Sequence, residues 1–206
     1  MTYLGLRASM KDFTVFSVRD ILRSDPGFHR RRLNEWQDKG YIRKVIKGFY
    51  LFADRALDEW TLFEIANRIY KPSYVSLESA LAHFQLIPES VYGVTSVSTR
   101  RSYRFPSAVA DFRYRTVSPR LFYGYDLAAA GGKRVKIARP EKAILDFLYL
   151  NPHLRSDPEF DSLRLDKERF SQLVDGRELQ AMAARFAQKT LTVRLERLLA
   201  YLRRED

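Results

Sequence analysis

SVRDILRSDPGFHRRRLNEWQDKGYIRKVIKGFYLF, residues 17–52, reads as a short helix, a tight turn, a basic second helix and a two-stranded ribbon. Ser17 followed by Asp20 is a capping pair that starts the first helix, and Val18, Ile21 and Leu22 supply its apolar stripe. Ser24, Asp25, Pro26 and Gly27 form the turn, because Asp caps, Pro sets φ for a first helical position and Gly accepts dihedrals other residues resist. The second helix runs to about Lys39, where Gly40 stops it. Residues 41–47 and 49–52 then pair as strands around the bend at Lys47 and Gly48.

That order of elements is the order of a winged helix-turn-helix, and the second helix carries the side chains such a unit uses. Laid out at 100° per residue, Leu33 and Trp36 share one face with His29 beside them. Arg31, Asn34, Glu35 and Asp38 fall opposite, with Arg30 on the flank towards Asn34. An Arg fork matches guanine O6/N7 and an Asn amide matches adenine N6/N7, so Arg30, Arg31 and Asn34 are the base-edge candidates. Arg32 and Lys39 are expected on phosphates, and Arg43, Lys44 and Lys47 in the ribbon are spaced to lie beside the same backbone. The competing reading is a solvated basic helix on a small packing module.

The 206 residues suit one large or two small domains, here 1–55 for the basic N-terminal unit and 56–206 for the remainder. With 46% hydrophobic residues, 14 Phe and 12 Tyr, there is enough apolar surface for buried cores, so disorder is not expected. The absence of cysteine excludes disulfide frameworks, thiolate metal sites and Cys nucleophiles. No apolar run approaches the ~18 residues of a spanning helix, and MTYLGLRASMKD lacks the apolar core of a signal peptide. A cytoplasmic protein with no membrane partner is the expectation.

The net charge of +11 is unevenly spread. Residues 1–55 carry 12 Lys/Arg against 6 Asp/Glu, residues 56–150 carry 13 against 9, and residues 151–206 carry 11 against 10. The excess therefore sits where a phosphate-binding surface is expected. A basic membrane-surface helix fits less well, because the Arg run shares its helix with Trp and Asp instead of facing a broad apolar stripe.

The rest of the chain alternates between helical and strand periods. Residues 2–13 are expected to pack Leu4, Leu6, Met10 and Phe13 on the N-terminal unit, and residues 54–57 to form the joint. A helix follows from Asp58 to Tyr70 and ends at Lys71-Pro72; Ser76 then caps another over residues 77–86. Residues 91–130 change period, with Phe112, Tyr114 and Thr116 alternating against Arg113 and Arg115. Residues 94–99, 111–117, 121–125 and 133–138, the last entered through a Gly131-Gly132 hairpin, make a mainly antiparallel sheet of three to five strands. One face would be aromatic and buried, the other studded with Arg. Arg100, Arg101, Arg104, Arg113, Arg115 and Arg120 form this second basic set, read either as the solvated side of the sheet or as a contact to phosphates or an acidic partner. Pro140 opens a helix to Leu150 on which Lys142 and Asp146 can pair at the surface. Residues 151–163 form a polar loop, and residues 166–204 form two or three helices broken near Gly176 and Thr190. In the last, Leu191, Leu195, Leu198, Leu199 and Leu202 are core or a dimer seam. The fold class is thus α+β: a winged helix-turn-helix, a mixed domain with a small sheet, and C-terminal helices.

A search for catalytic chemistry is nearly empty, and no catalytic residue, metal site or cofactor is assigned. His29, His83 and His153 fall in separate elements with no H-E-x-x-H spacing. No Walker lysine loop or G-x-G-x-x-G occurs. Asp157, Glu159 and Asp161 are close in sequence, yet lack the Gly-Ser a nucleotidyltransferase places before its acidic pair. None of the ten lysines has an acid two residues before it, as a restriction-type nuclease requires. Ser76 and Ser79 lack a G-x-S-x-G elbow, so a cap is expected instead of a nucleophile.

RKVIKGFY at 43–50, YVSLESALAHFQLIPE at 74–89 and VKIARPEKAILD at 135–146 together resemble the antitoxin of the abortive-infection E systems, the AbiEi-like type IV antitoxins. The resemblance covers roughly residues 13–150. It implies an N-terminal winged helix that binds inverted repeats in double-stranded DNA of its own promoter and represses the operon. It further implies a C-terminal α/β domain that counters a nucleotidyltransferase toxin without needing a stable complex with it. A stand-alone transcriptional regulator would share the same residues, and a basic module for RNA or an acidic protein is the reading from another class.

Overall fold

The computed structural model describes residues 1–88, 93–130 and 132–204. Its N-terminal lobe places three helices, α1 (Tyr3–Ser9), α2 (Val18–Ser24) and α3 (Arg31–Asp38), on a sheet of β1 (Phe16–Ser17), β2 (Ile42–Ile46) and β3 (Phe49–Phe52). The capping pair forms as expected. Asp20 N donates to Ser17 Oγ at 3.2 Å, and Ser17 N donates back to Asp20 Oδ2 at 2.7 Å. Gly40, at φ +68°, ends α3 as its backbone N–H reaches back to Gln37 O and Tyr41 N to Trp36 O.

Two details of this lobe differ from the sequence reading. Ser24 belongs to α2, and α3 opens only at Arg31, so Pro26 stands outside the helix it was expected to begin. Phe28 is the cause: it is buried and stacks on Trp36 with centroids 5.7 Å apart, which turns His29 out to solvent and away from the Leu33–Trp36 face. The ribbon also gains a third strand, since Phe16 and Ser17 pair antiparallel with Tyr50 and Phe49, giving the order β1-β3-β2. Leu6 and Met10 are buried as expected, but Leu4 is 76% exposed, on the far side of α1.

This small sheet has two apolar faces. Phe16, Ile42, Tyr50 and Phe52 close over Ile21, Leu33 and Trp36 in one cluster. Val45 and Leu51, with Val15, instead join the core of the second lobe. Arg68 adds a polar tie, with Nη2 2.9 Å from Asp20 Oδ2 and its guanidinium 4.6 Å from the Phe13 ring.

The second lobe begins with α4 (Glu59–Ile69), capped by Asp58, which accepts from Thr61 N at 2.6 Å. It continues through β4 (Ser73–Val75), α5 (Leu77–His83), β5 (Val94–Ser98), β6 (Tyr103–Pro106), β7 (Asp111–Thr116), β8 (Tyr125–Ala130) and β9 (Lys133–Ala138). It closes with α6 (Pro140–Leu150), α7 (Asp157–Asp161), α8 (Lys167–Leu173), α9 (Gly176–Phe186) and α10 (Lys189–Leu202). The architecture is mixed α+β, but the sheet is larger and less antiparallel than the pattern indicated. Six strands run in the order β6-β7-β5-β4-β9-β8, with β5·β7 and β4·β9 parallel and the other three pairings antiparallel. Residues 121–125 are not a strand: a 3-10 turn at Pro119–Leu121 leads into β8, which starts at Tyr125. The polar loop contains α7. Glu89, Val91 and Gly131, used in the sequence reading, lie outside the described residues.

Successive residues of β4 point to opposite faces. Tyr74 turns its hydroxyl to Asp146 on α6, whereas Ser73 lies beside Asn67 and Arg68 of α4, so the two helices cover opposite sides of the sheet. With α5, α9 and α10 packed around it, α6 is buried on almost every side. Leu191, Leu195 and Leu198 of α10 are at most 1% exposed within the same cluster and are core, while Leu199 and Leu202 are half-buried at its edge.

Candidate nucleic-acid interface

The exposed face of α3 follows from the burial of its other face. Leu33 and Trp36 lock into the N-terminal core, and Arg30, Arg31, Arg32, Asn34 and Lys39 are left in solvent. The N-cap position, Arg30, makes no side-chain capping bond, and the Arg32 and Leu33 amides are taken up by His29 O and Arg30 O at 3.1 and 3.0 Å. Arg31 Nε lies 3.7 Å from Glu35 Oε1 while 89% exposed. Such a solvated pair is worth about 0–1 kcal/mol, so Arg31 can be drawn off by a base edge at small cost.

A cleft of about 490 Å³ brings three elements together: Ser17, Val18, Arg19 and Leu22 from α2, Arg30 ahead of α3, and Gly48 and Phe49 from the ribbon turn. The Val18 amide donates to Gly48 O at 3.1 Å, which pins the turn to the start of α2. The Ser17–Asp20 box keeps this corner rigid. Burial works to raise the Asp20 carboxyl, but the Ser17 amide, the Ser17 hydroxyl and the Arg68 guanidinium outweigh it and hold the group below its ordinary value. Arg19 was not among the sequence candidates. Only its place at the second position of α2, beside the cap, signals it.

The ribbon divides its cations by strand parity. Lys44 stands opposite Tyr50, on the face shared with the helices, and is exposed. Arg43 stands opposite Leu51, on the face turned to the second lobe, and its Nη2 donates to Arg55 O at 2.8 Å. Arg43, expected beside Lys44 on the phosphate side, thus lies on the opposite face and ties the ribbon to Arg55, since neighbouring residues of a strand cannot share a face. Arg32 is also engaged, its Nη1 donating to Met1 O at 2.8 Å. Arg19, Arg30, Lys39, Lys44 and Lys47 make no ion pair or side-chain hydrogen bond among the described residues.

The second basic set is mostly neutralised or tied down. Arg104 and Arg113 share Asp111 at 2.9 and 2.8 Å, and Arg104, ahead of burial, holds that carboxyl below its usual range. Arg100 stacks 4.4 Å over Tyr70 and Arg101 5.7 Å over Tyr103. Arg115 donates to Leu150 O at 2.8 Å, and Arg120 reaches Phe186 O at 3.5 Å.

Residues that looked superficial in sequence form a sealed network instead. Lys142 and Asp146 pair at zero exposure, not at the surface of α6. Tyr74 Oη donates to Asp146 Oδ2 at 2.8 Å and accepts from Lys142 Nζ at 2.9 Å. Ser76 Oγ donates to the same carboxylate at 2.9 Å, so its side chain serves the network and does not cap α5. Rings of Tyr74, Tyr123 and Phe186 surround the ammonium at 5.1–5.4 Å. Gly124, at φ +71°, lies against the Lys142 stem, and an added Cβ would come within 3.1 Å of it. Burial raises Asp146 and lowers Lys142, and the three donors on Asp146 oppose its shift. Ser79 is likewise internal, exchanging hydrogen bonds with Thr95.

Asp157, Glu159 and Asp161 each have a separate partner: Arg204, Ser156 and Tyr201. Among the described residues no group of three acidic, His or Cys side chains is placed to hold a metal, and no helix is long and apolar enough to cross a membrane. Compared with known proteins, the chain matches no family model and no curated protein.

Proposed function

We propose that the chain is a DNA-binding repressor of the type IV antitoxin kind, with its N-terminal lobe acting as a winged helix-turn-helix. The observation that supports this best is the cleft where Arg19, Arg30 and the ribbon turn meet, with the Arg31–Asn34 face of α3 open beside it. Read as a DNA contact, α3 enters the major groove with Arg31 and Asn34 on base edges. Arg19, Arg30 and Lys39 hold phosphates on either side, and Lys44 and Lys47 of the ribbon reach the flanking backbone. The buried Leu33 and Trp36 fix the angle of the helix, so the contact needs no reordering of the lobe.

The antitoxin part of the reading is supported by the resemblance of residues 74–89 and 135–146, and by the charge excess of residues 1–55. The test is fluorescence anisotropy on duplexes from the upstream region of the gene, with and without their inverted repeats. Arg31→Ala and Asn34→Ala are expected to lose the preference for the repeats while keeping general affinity. Equal preference in both variants overturns the choice of reading face. Co-expression with a nucleotidyltransferase toxin tests the second role: growth rescue that survives the double variant assigns it to residues 56–206.

A further inference from the structure

A second concavity, of about 310 Å³, opens at the seam between α4, the start of β4 and the β8–β9 hairpin, and shares no lining residue with the cleft beside α3. Its lining is strongly cationic: Arg68, Lys71, Arg134 and Lys136. Lys71 and Arg134 are exposed and make no ion pair or side-chain hydrogen bond among the described residues. The acid present, Glu64, accepts the Thr14 hydroxyl and keeps its negative charge, so the four cations of the lining outnumber the one carboxylate. Asn67 is fixed by exchanging hydrogen bonds with the Lys136 backbone, which sets the wall of the pocket. Ser73, also part of the lining, is only 3% exposed, and its hydroxyl has no hydrogen-bond partner. A buried hydroxyl without a protein partner is uncommon, and one next to a group of cations can donate to an anionic oxygen. Leu127, 58% exposed, forms an apolar shelf at the rim.

We propose that this pocket binds the phosphate of a small phosphate monoester whose organic part rests on Leu127. Lys71 and Arg134 supply the free charge, and Ser73 supplies a directional donor that a solvated lysine patch lacks. The volume lies at the lower end of ligand sites and exceeds what a bare phosphate needs, so the site fits a nucleoside-monophosphate-sized molecule. Its recessed floor suits a small molecule better than the backbone of a duplex, which presents phosphates along a convex surface. Arg68 connects the site to the N-terminal lobe, because the same guanidinium bonds Asp20 in the α2 capping box.

The test is titration calorimetry of the full chain with AMP, inorganic phosphate and adenosine at fixed ionic strength. AMP is expected to bind saturably at one site per chain, phosphate more weakly, and adenosine not at all. Lys71→Ala with Arg134→Ala should weaken AMP binding at least tenfold. Ser73→Ala should weaken it several-fold with the melting temperature unchanged, since the hydroxyl it removes has no partner in the free protein. Absence of saturable AMP binding overturns the proposal. So does an equal loss in the control pair Arg100→Ala with Arg101→Ala, which marks a general charge effect. A duplex that displaces AMP, and is itself weakened tenfold by Lys71→Ala with Arg134→Ala, assigns the anion to DNA and overturns the small-molecule site. These outcomes are separate from the α3 variants, so the pocket and the DNA reading stand or fall independently.

Discussion

Removing Arg30, Lys44 and Lys47 together, each to alanine, gives the sharpest measure of the proposed interface. Five cations, Arg19, Arg30, Lys39, Lys44 and Lys47, stand unpaired around α3, the start of α2 and the ribbon. If each meets a phosphate, log K against log salt has a slope of about −0.9 per contact, or about −4.5 for each protein chain. Raising salt from 50 to 200 mM then costs about 500-fold in affinity, and the triple variant, with a slope of about −1.8, loses only about 12-fold. All three side chains are on the surface, so the substitutions should change stability by no more than about 0.5 kcal/mol. Anisotropy titrations of a ~20-base-pair duplex at three salt concentrations read both slopes. A native slope shallower than about −2, or one that the triple variant leaves unchanged, refutes the placement of these residues on the backbone.

Four further outcomes follow from the same geometry. Arg104→Ala with Arg113→Ala should alter duplex affinity by less than about threefold, because both guanidinium groups are held on the Asp111 carboxylate. A fall above tenfold in that anisotropy assay places the sheet in the path of the DNA. Asp146→Ala should cost about 3–5 kcal/mol in urea unfolding, since it strands a buried ammonium and two hydroxyls, whereas Ser76→Ala removes one donor to a charge at about 1.5–3 kcal/mol. A loss under 1 kcal/mol for Asp146→Ala would mean the pair is solvated. Asp58 is held at about 2, chiefly by Thr61, whose amide donates to it at 2.6 Å, and then by Lys133, and Asp20 is also depressed. Both groups therefore stabilise the fold above the ordinary carboxylate range near 3.8 and lose that contribution as pH falls, Asp58 as it approaches 2. Asp58→Asn should flatten this acid limb of the stability profile, measured by thermal melts from pH 5 to pH 2, and an unchanged limb contradicts the assignment. Leu195→Ala should destabilise by about 2–5 kcal/mol without changing the sedimentation coefficient of the folded protein, as befits core. A shift in sedimentation would restore the dimer seam.

Signals that act within one turn of chain were readable directly. The Ser17–Asp20 box, the Gly40 stop and the Pro140 start each need only three or four residues, and each appears where its residues stand. What escaped depends on partners distant in sequence. β4 is three residues long and becomes a strand only through β5 on one side and β9 on the other, one antiparallel and one parallel. Phe28 and His29 differ by one position, and only the Trp36 ring decides which is inside. Spacing cannot tell an exposed Lys142–Asp146 pair from an internal one, because i,i+4 geometry is the same in both; Tyr74, 68 residues from Lys142, makes the difference. At the candidate interface the exposed face of α3 was legible from Leu33 and Trp36, whereas the split between Arg43 and Lys44 required the register against β3.

The sealed network around Lys142 has a bearing on how this lobe tolerates change. Tyr74 and Ser76 stand on and just after β4, and Lys142 and Asp146 on α6, so one strand and one helix are keyed to each other through side chains that never meet solvent. Side chains displayed on the outside are no part of that key, and exchanging them leaves the lock between strand and helix as it is.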